Sequence, residues 1–229
     1  NAIDTHGDPA LLLGLPHRDF RPMASVLFLL NLAVSGLSPA GYYAVNLLLH
    51  LANVALVMRL AFLLTGGRRG VALITGALFA GACGNYGDAV TWISGRTGLL
   101  ADLFALSAVL AYRAFLESRS RRDYALALVL YALALLSKET AVVLLPLLVL
   151  ADWAKGPPAR DLVRGRALRA YAPFAILLAG YLAVELGIVR RGSPVIGRDY
   201  VLGGHGLTNL AEYFARMLVP VNATSFTVP

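Results

Sequence analysis

The chain has 229 residues, 58% of them hydrophobic and 14% charged, and a mean hydropathy of +0.69. That apolar content exceeds the range of soluble domains and excludes a water-soluble globule. One cysteine, Cys83, closes no intrachain disulfide, so a cysteine-stapled scaffold is out. The net charge of +7 sits mostly in short loops between apolar runs, where it is a topology signal and not a nucleic-acid footprint.

Residues 1–20 are polar and begin with Asn1, which predicts an internal piece of a longer chain with no signal segment at this end. Residues 22–37 are apolar but start at Arg21-Pro22 and contain Asn31, so a helix lying in the outer interface is expected, a short span being the alternative. Gly41 to Leu64 follows as the clearest span, about 36 Å as a helix. Past the basic turn at Arg68-Arg69, Val71 to Cys83 is too short to cross alone. The glycine-rich stretch 84–98 predicts a re-entrant outer loop whose backbone lines a cavity. Leu99 to Leu116 crosses back.

A second basic turn, Arg119, Arg121 and Arg122, leads into 124–153, which is either one long helix or two short ones broken at Lys138-Glu139. Only the broken form puts this turn on the same face as the third basic segment, Lys155 to Arg169, as the positive-inside rule requires. With Phe174 to Val189 as the last span, the expectation is an all-α, polytopic membrane helix bundle of about six spans: an outer loop with interfacial helix (1–40), the bundle (41–189) and a second outer loop with an interfacial helix (190–229).

Charges at membrane depth cost roughly 2.5 to 3.5 kcal/mol each and are functional candidates by default. Lys138 and Glu139 follow an arm of only 14 residues, so they should lie below the outer surface, either binding an anionic head group or forming an ion pair at a helix turn. Asp88 and Arg96 bracket Trp92, combining a carboxylate, an aromatic platform and a fixed cation. Such a set suits a sugar phosphate: the carboxylate could take a proton from an attacking hydroxyl, and the guanidinium could neutralise a departing phosphate. A tight turn with its own ion pair is the other reading. Asn46, His50 and Asn53 share one face of the first long span and suit hydrogen bonding between helices, with His50 as a proton shuttle the minor reading. His6, His17 and His205 lack metal-ligand spacing, so no metal is expected. Asn222-Ala223-Thr224 matches a glycosylation acceptor, a pattern common by chance.

The order of several motifs carries more than any one of them: Arg21-Pro22, then Gly36-Leu37-Ser38-Pro39, YYAVNLLLHL at 42–51, AVTWISGRTGLL at 89–100, and LLSKE at 135–139 before Asp152-Trp153. Together these resemble the membrane core of the O-mannosyltransferases that carry transmembrane and tetratricopeptide-repeat regions, and their bacterial relatives, in the C-type glycosyltransferase superfamily. The resemblance covers residues 18–153 best. It implies transfer of a sugar from a polyprenyl-phosphate donor, with no other cofactor, to an acceptor hydroxyl of a protein, lipid or glycan on the non-cytoplasmic side. It also implies that the principal catalytic acid falls just before Asn1, leaving Asp4, Asp8 and Asp19 as substitutes by proximity. The family's His-Pro-x-His-x-Glu pattern is replaced here by Cys83, Gly84, Tyr86 and Asp88.

The expected site therefore has Asp88 and Asp19 as catalytic acids, Arg96, Lys138 and Arg21 on the donor phosphate, and Glu139, Trp92 and His50 near the sugar. A transporter of lipid-linked sugars and a non-catalytic membrane homologue are the competing functions. The alanine- and arginine-rich composition suggests a bacterial inner membrane with the site facing the periplasm.

Overall fold

A computed structural model describes residues 20–81, 90, 92–153 and 166–185. Those residues form helices without strands: α1 (Pro22–Ser35), α2 (Pro39–Leu64), α3 (Arg69–Gly81), α4 (Arg96–Ser118), α5 (Arg121–Leu135), α6 (Leu144–Trp153) and α7 (Arg166–Val184), with 3-10 turns at Ile93–Gly95 and Glu139–Val143. Both α1 and α2 open on a proline, whose fixed φ suits a first helical residue and whose missing N–H costs nothing there. Gly66 and Gly67 reverse the chain after α2 at φ +66° and +90°, a conformation that side chains oppose. Between α4 and α5, Arg119 takes φ +56°, and the Ser120 hydroxyl then caps α5 by accepting from the Arg122 amide at 3.2 Å.

Two helical stretches, Pro39–Leu64 and Ile93–Ser118, are long and apolar enough to cross a membrane; the other apolar helices have 10–17 residues. Six spans were expected, and helix length among the described residues supports two. The final helix also starts at Arg166, ahead of the expected Phe174, so Arg166 and Arg169 belong to its first turns and not to a loop. Physically, arginine is a good helix former, and an apolar run marks where a helix enters hydrocarbon, not where its backbone begins.

The faces of α2 are inverted relative to a helix in water. Asn46, His50 and Asn53 are buried, whereas Leu47, Leu48 and Leu51 are about half to two-thirds exposed. A lipid surround produces this arrangement, because polar groups there find partners only inside the protein. The buried amides do find partners: Asn53 Nδ2 donates to the Leu99 carbonyl at 2.9 Å and Asn46 Nδ2 to the Trp92 carbonyl at 3.2 Å. Joining helices is thus the role that this face of α2 performs.

Small residues set the other contacts. Ala108 and Ala111 of α4 meet Ala127 and Ala134 of α5 in the main core, which lets these helices approach closely. The aromatic ring of Phe174 on α7 then fills the centre, 5.6 to 5.8 Å from the rings of Tyr112, Tyr124 and Tyr131. On α3, Gly76 leaves room for the Met58 side chain of α2.

Contacts between helix ends fix their relative direction. Arg113 Nη2 donates to the Leu63 carbonyl, so α2 and α4 finish at one end, and the Tyr124 hydroxyl donates to Ala170 there. Arg68, Arg69, Arg119, Arg121 and Arg122 share that end. At the opposite end Arg96 donates to the Tyr42 carbonyl.

At Lys138 the helix breaks as the sequence predicts. The Ser137 and Lys138 amides both donate to the Ala134 carbonyl, and Lys138 is extended at φ −161°, ψ 142°. Beyond it, residues 140–147 line a cavity with Ala101 to Val109 of α4. A chain continuing in the direction of α5 would leave the start of α4 behind and never reach Val109, so it turns back. The stretch 124–153 is a hairpin, and it returns towards the end that carries the basic turns.

Candidate functional site

Three chain segments meet at the end opposite the basic turns: the start of α1, the start of α4 and the break at 136–139. The break leaves the Leu136 carbonyl without a partner in α5, and the Met23 amide at the start of α1 supplies it at 3.2 Å. That bond brings Arg21 beside Glu139. The guanidinium grips the carboxylate in a fork, Nη2 lying 3.0 Å from both oxygens and Nε 3.2 Å from Oε2. Both side chains are partly exposed, so the pair fixes geometry more than it adds stability.

Arg96 occupies a different environment from an open cleft. It is fully buried, its guanidinium carbon 4.2 Å from the centre of the Phe28 ring and 5.1 Å from that of Tyr42. Its Nε donates to the Ile93 carbonyl and Nη2 to that of Tyr42, each at 3.3 Å, while Nη1 has no partner among the described residues. The side chain thereby ties the 93–95 turn to α1 and α2. Trp92, by contrast, projects outward and is 65% exposed.

Lys138 lies over the first turn of α4. Its Nζ is 3.7 Å from where a Cβ on Gly98 would stand, which places the ammonium in contact distance of that turn. Gly95 caps that start without a side-chain hydrogen bond, and the first turn has no acidic residue. The 3-10 turn at Ile93–Gly95 runs directly into α4, and a cation beside a helical first turn free of acidic residues is suited to an anion. One turn further on, Asp102 lies within electrostatic reach of Lys138. It lines a cavity of about 280 Å³ with Phe79, Ala101, Thr140, Ala141 and Leu144, whose wall is otherwise mainly apolar.

The structure thus gathers Arg21, Lys138, Glu139 and the start of α4. His50 is buried on the α2 face between Asn46 and Asn53 and stacks at 5.8 Å on Phe79, with Nε2 unpartnered among the described residues. Asp88 and Asp19, the expected catalytic acids, and the replaced histidine positions lie outside the described residues, as do residues 1–19 of the first expected outer loop and the whole of the second, 190–229. Asp102 escaped the sequence analysis, although a carboxylate six residues into a long apolar helix is the same kind of signal that singled out Lys138.

With that geometry in place, comparison with known proteins narrows the chemistry. Over 149 residues the chain is 37% identical to the protein O-mannosyl-transferase Tmtc1 of Drosophila melanogaster, a match covering 65% of this chain and 17% of that protein. The chain is similar to protein O-mannosyl-transferases. Tmtc2 of the same fly is 35% identical over 147 residues, covering 61% of this chain and 16% of the relative. Human TMTC1 is 34% identical over 101 residues, which cover 44% of this chain and 11% of the relative. The matched part is therefore less than a fifth of the length of these relatives. All three are animal proteins and lend nothing to the bacterial inner membrane expected from composition. No protein-family profile matches the chain, and no solved structure matches it.

Proposed function

We propose that this chain is part of an integral-membrane glycosyltransferase that moves a sugar, mannose by its likeness to the relatives, from a polyprenyl-phosphate donor to an acceptor hydroxyl on the non-cytoplasmic face. The observation that carries this reading is the Lys138 ammonium over Gly98 in the first turn of α4, a turn without acidic residues, at the end of the bundle away from the basic turns. By the positive-inside rule that end is non-cytoplasmic. Support for the sugar and the reaction comes from the likeness to protein O-mannosyl-transferases.

On this reading Lys138 stabilises negative charge on the departing phosphate, a contribution that develops in the transition state and so accelerates the chemical step. Arg21 and Glu139 hold α1 against the break and keep Lys138 in register. Arg96 acts as a buried clamp that shapes the turn carrying Trp92, leaving that exposed ring to meet the sugar. Asp88 and Asp19 are the proposed acids for drawing the proton from the acceptor hydroxyl.

The test is mannose transfer from radiolabelled dolichyl phosphate mannose to a serine- and threonine-rich acceptor peptide by the full-length protein. Lys138→Ala is expected to lower turnover about 100-fold or more, the scale seen when a preorganised charge-stabilising group is removed, with expression unchanged. Undiminished turnover in Lys138→Ala would reject the assignment. Movement of intact labelled lipid across the bilayer without a glycosylated product would replace the enzyme with a transporter.

A further inference from the structure

Of the cations gathered at the site, Arg21 is engaged by Glu139 and Arg96 is enclosed between two rings. Lys138 makes no side-chain hydrogen bond or ion pair among the described residues, and neither does Asp102. Yet the two are placed with respect to each other by the fold. Gly98 and Asp102 are four residues apart and so lie on one face of α4, a single turn from each other. Lys138 stands over Gly98 on that face. Two and three residues after it, Thr140 and Ala141 border the same cavity as Asp102. Within the apolar body of α4 Asp102 is the lone acid before Glu117, whose partner is Arg113 at the far end. A carboxylate at such depth is costly without a compensating charge, and Lys138 is the cation that the fold sets over the preceding turn of the same face.

We propose that Asp102 is the positioning residue for Lys138: from one turn further along α4 it draws the ammonium over Gly98, where the ammonium receives the phosphate of a lipid-linked ligand. The carboxylate and the ammonium stand apart, so the ammonium keeps donors for an incoming anion instead of spending them in a closed ion pair. Glu139, next in sequence, is unsuited to this task because Arg21 occupies both of its oxygens. This inference rests on the phosphate-binding part of the reading above, and it adds a residue that does not touch the ligand but decides how well Lys138 does.

Binding of farnesyl phosphate to the full-length protein in detergent, measured by calorimetry, tests it. Asp102→Asn should weaken binding about tenfold, equivalent to 1.4 kcal/mol, Asp102→Glu should restore most of the loss, and Asp102→Asn should cost nothing further when Lys138→Gln is already present. Equal weakening in the Lys138→Gln background, or none in the wild-type background, would overturn the proposal. If Asp102→Asn does not fold, Asp102→Glu carries the test, with a small loss expected in the wild-type background and none beside Lys138→Gln; a loss independent of Lys138 overturns it. Absence of farnesyl phosphate binding to the wild type also overturns it, and mannose transfer by that preparation would then leave the transferase reading standing. Coupled binding without any transfer would keep the Asp102–Lys138 device and reject the transferase.

Discussion

Replacing Phe28 by leucine should loosen α1 from the bundle, by an amount that depends on whether residue 96 is charged. The Phe28 ring centre lies 4.2 Å from a guanidinium that is fully removed from solvent, which places the contact at the desolvated end of the cation–π range, about 2 kcal/mol. Tyr42 keeps its own face on Arg96 at 5.1 Å, and the hydrogen bonds to Ile93 and Tyr42 remain, so Phe28→Leu removes the contact with Arg96 and a looser ring pair with Tyr42 at 6.3 Å, of which only the first depends on the charge of residue 96. For a chain of this size about 2 kcal/mol corresponds to roughly 4 to 8 °C in thermal unfolding. The assay is a double-mutant cycle followed by thermal denaturation of the detergent-purified protein: Phe28→Leu, Arg96→Met and the two combined. Methionine keeps the length and apolar stem of arginine while discarding its charge. Phe28→Leu is expected to lower the melting temperature in the wild type and to have at most a third of that effect beside Arg96→Met. Equal shifts in both backgrounds would show that Phe28 contributes only packing, and the account of Arg96 as an aromatic clamp would be wrong.

Two further outcomes follow from other contacts. Gly76→Leu should unfold the α2–α3 contact, because its Cβ would collide with the Met58 side chain, and Met58→Ala should recover a large part of the melting temperature lost in Gly76→Leu. Arg21→Gln and Glu139→Gln should each cost only about 0.5 to 1 kcal/mol of stability, since their pairing is partly exposed, yet each should lower mannose transfer several-fold, and the double variant should be no worse than either single one.

Some of this architecture was open to reading from the amino-acid order, and the reasons are specific. The first span was expected at Gly41 to Leu64 and the helix is Pro39–Leu64, because hydrocarbon thickness selects such a run and glycines end it. The break after Ser137 was equally legible: two arms of equal length, a charged pair between them and basic segments that must share a side admit few alternatives. Partners distant in sequence were not legible. Arg21 and Glu139 were both singled out, but 118 residues separate them, and nothing local announces that the amide of Met23 will satisfy Leu136. Arg96 was expected to face a phosphate, since a fixed cation beside tryptophan suggests one; its enclosure depends on Phe28 and Tyr42, contributed by two other helices. Asp102 was hidden by the apolar residues around it, which made Leu99 to Leu116 look like a plain crossing.

The inverted faces of α2 bear on any attempt to make this protein tractable in aqueous buffer. Ordinary surface engineering spares leucine and trims buried polarity, and here that recipe would sever the amides of Asn46 and Asn53 from the backbone they hold while leaving the greasy exterior untouched. A water-compatible version would have to repaint Leu47, Leu48 and Leu51 with glutamine or lysine and keep Asn46, His50 and Asn53 as they are.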